Sequence, residues 1–260
     1  MVNVHILRSG TPACSLLSSL GTASSLPFFP EHNVTNPKET AGRQAAELVE
    51  DGMTVGLGTG STVYFTLVRL AERIESEGLS IRGVPTSEDT SEKARAFGIP
   101  LATLDEVDAI DLTIDGADEI DAQFCLTKGG GGALLREKVV AYISKREAIV
   151  VGRDKVVERL GTTFRLPVEV TPFARPMVVR AITALGADPQ LRTEDSGEPY
   201  HTDNGNEILD CVFPDGISDP ATLEADLDRI PGVVESGLFV GLAQICFVGE
   251  EDGSCTVLEL

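Results

Sequence analysis

The chain has 260 residues, 42% of them hydrophobic, with 21 basic and 41 acidic side chains and a formal net charge of −20. Length and hydrophobic content allow a full core in one large domain or two small ones, and no apolar run reaches the ~20 residues of a membrane-spanning helix. The charge excludes a nucleic-acid partner, whose phosphates require Lys and Arg, and an anionic membrane surface.

Residues 1–35 hold one acidic residue, Glu31, and one arginine, Arg8, and are rich in serine. They lack the basic start and apolar core of a secretory signal. The expectation is a disordered extension, or sequence upstream of the true start, outside the fold. Asn36-Pro37-Lys38-Glu39 reads as a helix start, with Asn as N-cap and Pro in the first helical position. A short buried strand over 53–57, a glycine-rich turn and a helix over 62–76 follow. A strand over 81–85, a helix over 90–97, a short run over 101–104 and a strand over 109–114 come next. A helix over 133–143 and a strand over 148–151 continue the alternation, which predicts a parallel sheet with helices on both faces.

After about Gly161 the rhythm changes. A strand over 168–170 and a helix over 176–185 precede a polar stretch over 190–201. A strand over 207–213, a helix over 220–229 and a strand over 233–239 complete a small α+β unit of split type. Segments 244–248 and 256–260 read as a hairpin that rejoins the first sheet.

Lysine is scarce, six against fifteen arginines. Two readings of the acidity stand: an ordinary acidic cytosolic protein, or a chain adapted to a salt-rich cytoplasm where self-repulsion is screened. The second is preferred. Five cysteines, at 14, 125, 211, 246 and 255, form no C-x-x-C pair, and His5, His32 and His201 have no metal-ligand spacing. The pattern fits a reducing, cytoplasmic compartment and offers no disulfide framework and no metal site. Chemistry then falls to carboxylates, lysines and backbone amides.

Three segments carry that chemistry. Gly56-Leu57-Gly58-Thr59-Gly60-Ser61-Thr62 runs from a strand through glycines into a helix, where free amides receive an anion. It lacks the Gly-Lys-Ser/Thr of a nucleotide loop, and a ligand-free turn is the alternative. Asp115-Gly116-Ala117-Asp118-Glu119 ends a buried strand, where open α/β sheets bind ligands. Its alternative is a solvated acidic turn. Lys128-Gly129-Gly130-Gly131-Gly132 leads into a helix carrying Glu137 on its second turn. Four glycines are costly to order, so they point to special dihedrals or close ligand approach rather than a flexible linker.

These blocks, with Arg136-Glu137-Lys138, Leu166-Pro167-Val168-Glu169-Val170 and Thr202-Asp203-Asn204-Gly205-Asn206, resemble the signature set of the ribose-5-phosphate isomerase A family. The likeness runs from about Lys38 to the C-terminus. It departs at Gly132, usually Ala in the family, at Leu135, where Thr is frequent, and in polar residues inserted near Asp195 and Glu198. The resemblance implies a Rossmann-like parallel sheet over residues 36–160 and 240–260 and a smaller ferredoxin-like α+β domain over 161–239. It implies interconversion of D-ribose 5-phosphate and D-ribulose 5-phosphate, as in the non-oxidative pentose phosphate pathway. No cofactor, no metal and a homodimer or homotetramer go with it.

Glu137 aligns with the family's proton-transferring base, and Asp115, Asp118 and Lys128 with its polar site groups. Thr59, Gly60, Ser61 and Thr62 match the substrate loop, flanked by Gly116, Ala117, Gly129, Gly130 and Gly131. Lys38 and Lys155 match substrate-binding lysines. The chemistry fits these residue types: one carboxylate moves a proton between C2 and C1, and a lysine stabilises the enediolate oxygen. Asp115 is the expected partner for ring opening. A sugar-phosphate deaminase or acyl-CoA transferase of related fold is the enzymic alternative, and a sugar-phosphate sensor the non-enzymic one. The deaminase would need a site histidine, and the sensor a basic DNA-binding surface.

Overall fold

Asn36 accepts a hydrogen bond from the Lys38 amide at 3.1 Å, and Pro37 takes the first helical position, so α1 (Pro37–Ala46) begins where the sequence predicts. The computed structural model describes residues 3–7 and 36–260. Next come β2 (Thr54–Leu57), α2 (Val63–Glu77), β3 (Arg82–Pro85), α3 (Glu88–Ala96) and β4 (Leu112–Asp115). Two short strands, β5 (Glu119–Ile120) and β6 (Leu126–Thr127), precede α4 (Leu134–Tyr142) and β7 (Glu147–Gly152).

A seven-stranded sheet has the order β1-β14-β13-β7-β4-β2-β3, where β1 is Asn3–Leu7, β13 is Ile245–Gly249 and β14 is Cys255–Glu259. From β13 to β3 neighbouring strands are parallel; β14 and β1 add on antiparallel. Four-residue strands such as β2 and β4 are buried at every position, as a sheet covered on both faces requires. One face packs Ala41, Ala45, Leu67 and Leu70 of α1 and α2. The other packs Val140 and Ala141 of α4. The predicted hairpin does rejoin this sheet, with β13 beside β7.

The second sheet is antiparallel, in the order β11-β8-β10-β9. It is built from β8 (Leu166–Val170), α5 (Arg175–Ala184), β9 (Asp188–Leu191), β10 (Glu207–Val212), α6 (Pro220–Asp228) and β11 (Val233–Ser236). Strand-helix-strand-strand-helix-strand is the predicted split order, closed around Val168, Val178, Ile182, Leu209 and Leu227.

Three expectations change. The run over 233–239 is two strands: β11 stays in the small sheet, and β12 (Leu238–Phe239) joins β6 and β5 in a third, three-stranded sheet. The break is at Gly237, whose carbonyl accepts from the Lys128 amide at 2.8 Å and whose amide donates to Pro167 at 2.7 Å. A Cβ there would lie 2.3 Å from the Lys128 carbonyl oxygen, so no side chain fits. The run over 101–104 forms a single bridge, Gly83 to Leu101, before a short 3-10 turn at Leu104–Glu106. Finally, Asn3–Leu7 pairs antiparallel with β14, so the supposed extension supplies an edge strand. The β-prone Asn-Val-His-Ile-Leu run finds partners on the otherwise open edge of β14. Positions 1–2 and 8–35 lie outside the described residues.

Candidate active site

The carboxyl ends of β2, β3, β4 and β7 meet above the main sheet, where an open α/β sheet leaves a crevice. A cavity of about 210 Å³ sits there. Its walls include Thr59, Gly60, Ser61 and Thr62 after β2, Gly116, Ala117 and Asp118 after β4, and Lys155 after β7. Lys128, Gly129, Gly130, Gly131, Glu137 and Lys38 complete the predicted lining. Val151, Gly152 and Asp154 also line it; the first two end β7 and Asp154 lies in the short 3-10 turn that follows, and neither stretch carried a chemical signal in the sequence.

Asp115 does not reach the cavity. Its side chain is fully buried and is not among the lining residues, although the sequence reading places it against substrate. Its Oδ1 accepts from the Thr59 amide at 3.0 Å and the Gly116 amide at 2.7 Å, and its Oδ2 pairs with Lys128 Nζ at 3.0 Å. Gly58 permits this closeness: a Cβ there would lie 2.2 Å from Asp115 Oδ1. Asp115 thereby ties the glycine turn to the lysine.

Lys128 is 2% exposed. Its Nζ donates to the Gly116 carbonyl at 2.5 Å and lies 3.4 Å from Glu137 Oε1. Burial opposes its charge, but Asp115, Glu137 and Glu147 together hold its pKa above the ordinary value. Glu137 is in the first turn of α4 rather than the second, and is 5% exposed. Its Oε2 has no hydrogen-bond partner among the described residues. Burial raises its pKa to about 8; Lys128 opposes the rise, and Asp115 and Asp118 add to it. A carboxyl with a free oxygen, poised near neutral pH beside a lysine, is equipped to take and return a proton.

Asp118 stands on the opposite wall, half-buried. Burial raises its pKa, against the Gly130 amide, which donates to Oδ2 at 2.7 Å, and the charges of Lys128, Lys155 and Arg192. Lys38 projects from the first turn of α1 and donates to Ser61 Oγ at 3.0 Å. Lys155, 3.7 Å from Asp154, lines the same cavity. The glycine turn and two lysines make one end of the cavity attractive to an anion.

Sequence reasoning missed the hydroxyl cluster that fixes the glycine turn. Thr59 Oγ1 lies 2.8 Å from both Thr86 Oγ1 and Ser87 Oγ, and Thr90 Oγ1 donates to the Gly58 carbonyl at 2.8 Å. The available signal was positional: Thr86 and Ser87 end a parallel strand, as Gly58 and Asp115 do. Among the described residues no group of three His, Cys, Asp or Glu side chains is placed to hold a metal ion.

Taken together, this is an α/β protein whose cavity joins a buried carboxyl and lysine to a glycine turn flanked by lysines, an arrangement suited to proton transfer on a small anionic molecule. The sequence model of ribose 5-phosphate isomerase A (phosphoriboisomerase A) matches residues 82–253. The chain is 55% identical over 217 residues to the ribose-5-phosphate isomerase A of Gloeobacter violaceus, covering 83% of this chain and 93% of the relative. To that of Bacillus mycoides it is 50% identical over 218 residues, covering 84% and 97%. A solved D-ribose-5-phosphate isomerase in complex with phospho-erythronic acid superposes with a TM-score of 0.84 at 39% identity, over 88% of this chain and all of that one. The chain belongs to the ribose 5-phosphate isomerase A family.

Proposed function

We propose that this protein interconverts D-ribose 5-phosphate and D-ribulose 5-phosphate through an enediolate. The observation that carries the reading is Glu137, a buried carboxyl with a free oxygen on the cavity wall, 3.4 Å from Lys128. The binding of a phosphorylated sugar acid by a relative of the same fold supports it.

Glu137 takes the C2 proton of the open-chain aldose and returns it to C1, so one carboxylate serves both half-reactions. Lys128 Nζ, itself buried, stabilises the negative charge that grows on the substrate oxygen. Asp118 replaces Asp115 as the group assisting ring opening, because Asp118 lines the cavity and Asp115 does not. Asp115 instead holds Lys128 in place. Lys38, Lys155 and the turn from Thr59 to Thr62 receive the phosphate. No step runs through a metal. The proposal also includes a cytoplasmic location and a homodimer or homotetramer, which sedimentation of the purified chain tests.

The decisive experiment incubates the protein with ribose 5-phosphate in deuterated water with EDTA. Ribulose 5-phosphate should form, with deuterium entering at C1 or C2. Glu137→Gln should lower kcat by ~10²–10⁴-fold with little change in KM and abolish the exchange. Lys38→Ala or Lys155→Ala should instead raise KM, since the phosphate is unchanged by the reaction. Normal turnover and exchange by the Gln variant would place the base elsewhere, and loss of activity in EDTA would overturn the metal-free route.

A further inference from the structure

The glycine loop between Lys128 and α4 is gripped from outside the main sheet. Arg192, one residue past β9, donates through Nη1 to the Gly129 carbonyl at 3.0 Å and the Gly130 carbonyl at 3.1 Å. Its Nε and Nη2 are held by the Asp210 carboxylate at 2.9 and 2.5 Å, so the guanidinium is fixed as a fork and aimed at the loop. Tyr200 lies against that guanidinium, 5.7 Å from ring centroid to Cζ, and its hydroxyl donates to the Gly131 carbonyl at 3.4 Å. Three successive loop carbonyls therefore face the small sheet.

A trans peptide points its N–H opposite to its C=O. Fixing the Gly129 carbonyl on Arg192 accordingly turns the Gly130 amide the other way, where Asp118 receives it at 2.7 Å. Fixing the Gly130 carbonyl turns the Gly131 amide away from the small sheet in the same manner, and Gly131 lines the cavity. Gly132 completes the fit. Its φ is +80°, and a Cβ there would lie 2.2 Å from the Tyr200 oxygen. Gly132, one of the departures from the family pattern, thus leaves the space that Tyr200 fills.

We propose that Arg192 and Tyr200 are positioning residues that set the conformation of the glycine loop, so that the small antiparallel sheet shapes the substrate cavity around Lys128 and Asp118. The effect on rate rests on the isomerase reading; the effect on the loop does not.

The test uses the full chain with Arg192→Lys, which keeps charge but loses the fork, and Tyr200→Phe, which keeps the ring but loses the hydroxyl. Amide hydrogen exchange over residues 129–133 should quicken about tenfold in Arg192→Lys and less in Tyr200→Phe. kcat for ribose 5-phosphate should fall about tenfold in Arg192→Lys while KM moves by less than about threefold, because the loop adjoins the reacting end of the cavity. Gly132→Ala should also lower kcat, because its φ of +80° and the Tyr200 oxygen both oppose a side chain there. Unchanged exchange in a folded Arg192→Lys variant overturns the proposal. If that variant does not fold, unchanged exchange over residues 129–133 in Tyr200→Phe overturns it equally. A parent chain without isomerase activity refutes the isomerase reading and leaves loop exchange to decide this one.

Discussion

A carboxyl that must take a proton from carbon gains basicity from being held away from water, and Glu137 and Glu147 show two consequences of that. For Glu137, with its pKa pushed up to about 8, the ionised base becomes populated only as pH rises toward that value. kcat/KM should therefore climb about tenfold per pH unit below it and level off above it. A pH–rate profile from 5 to 10 checks this; a limb near the ordinary ~4.3 of glutamate would mean that Glu137 is not the titrating base. Glu147 opens β7, fully enclosed, and neither of its side-chain oxygens has a partner among the described residues. Burial lifts its pKa from 4.5 to about 8, opposed by Lys128 and aided by Asp115. Its folded pKa is raised, so its contribution to stability is full below the unfolded value of 4.5 and is lost as pH rises through about 8. Glu147→Leu, which removes an unpartnered buried acid, should stabilise the protein by about 1–3 kcal/mol at pH 8 and by less at pH 5. Urea unfolding at the two pH values decides; equal effects at both would mean that Glu147 has a neutralising partner.

Among elements, α4 is the one whose placement matters most, since it carries Glu137, and the two family motifs without obvious chemistry turn out to brace it. Glu169 of β8 is buried, and its Oε1 accepts from Thr202 Oγ1 at 2.9 Å and Asn206 Nδ2 at 2.8 Å, fixing the turn over 202–206. That turn sends Asp203 Oδ2 to the Glu88 amide at 2.9 Å and Asn204 Oδ1 to Arg136 Nε at 3.1 Å. Arg136 precedes Glu137, so the chain of contacts ends at the base. Glu169→Leu, which removes the acceptor of Thr202 and Asn206, should cost about 1–3 kcal/mol, read as a lower urea midpoint. An unchanged midpoint would mean that the turn holds itself. Alternation of strands and helices was legible because each element carries its own period and cap, as at Asn36. The cavity lining was legible because glycines and carboxylates cluster at strand ends. The break at Gly237 was not, since a continuous β-prone run does not reveal which sheet claims it. Nor was the burial of Asp115, which depends on Gly58, 57 residues away along the chain, or the grip of Arg192, which crosses between sheets.

At the scale of the molecule, attraction and repulsion between charges respond oppositely to salt. The described surface carries ion pairs such as Arg43 with Glu72, Arg69 with Glu47 and Glu77, and Arg229 with Asp226. Exposed pairs of this kind contribute roughly 0–1 kcal/mol each and weaken as salt rises. Against them stands an excess of 20 negative charges, whose mutual repulsion relaxes when the chain unfolds and spreads them apart. With 41 acidic against 21 basic side chains, every base can be paired and the excess remains, so repulsion is the larger effect. Salt should therefore stabilise the fold. The Debye length falls from about 30 Å at 0.01 M to about 3 Å at 1 M, and most of the gain should come within that range. Melting temperature should rise between those concentrations in sodium chloride and then level off. An uncharged osmolyte of equal osmolarity should not reproduce the early rise, because exclusion from the surface acts without screening. A melting temperature flat from low to molar salt would show that the acidity is ordinary surface charge already balanced by its partners. A rise that begins only above 1 M would assign the effect to solvent exclusion rather than to the relief of self-repulsion.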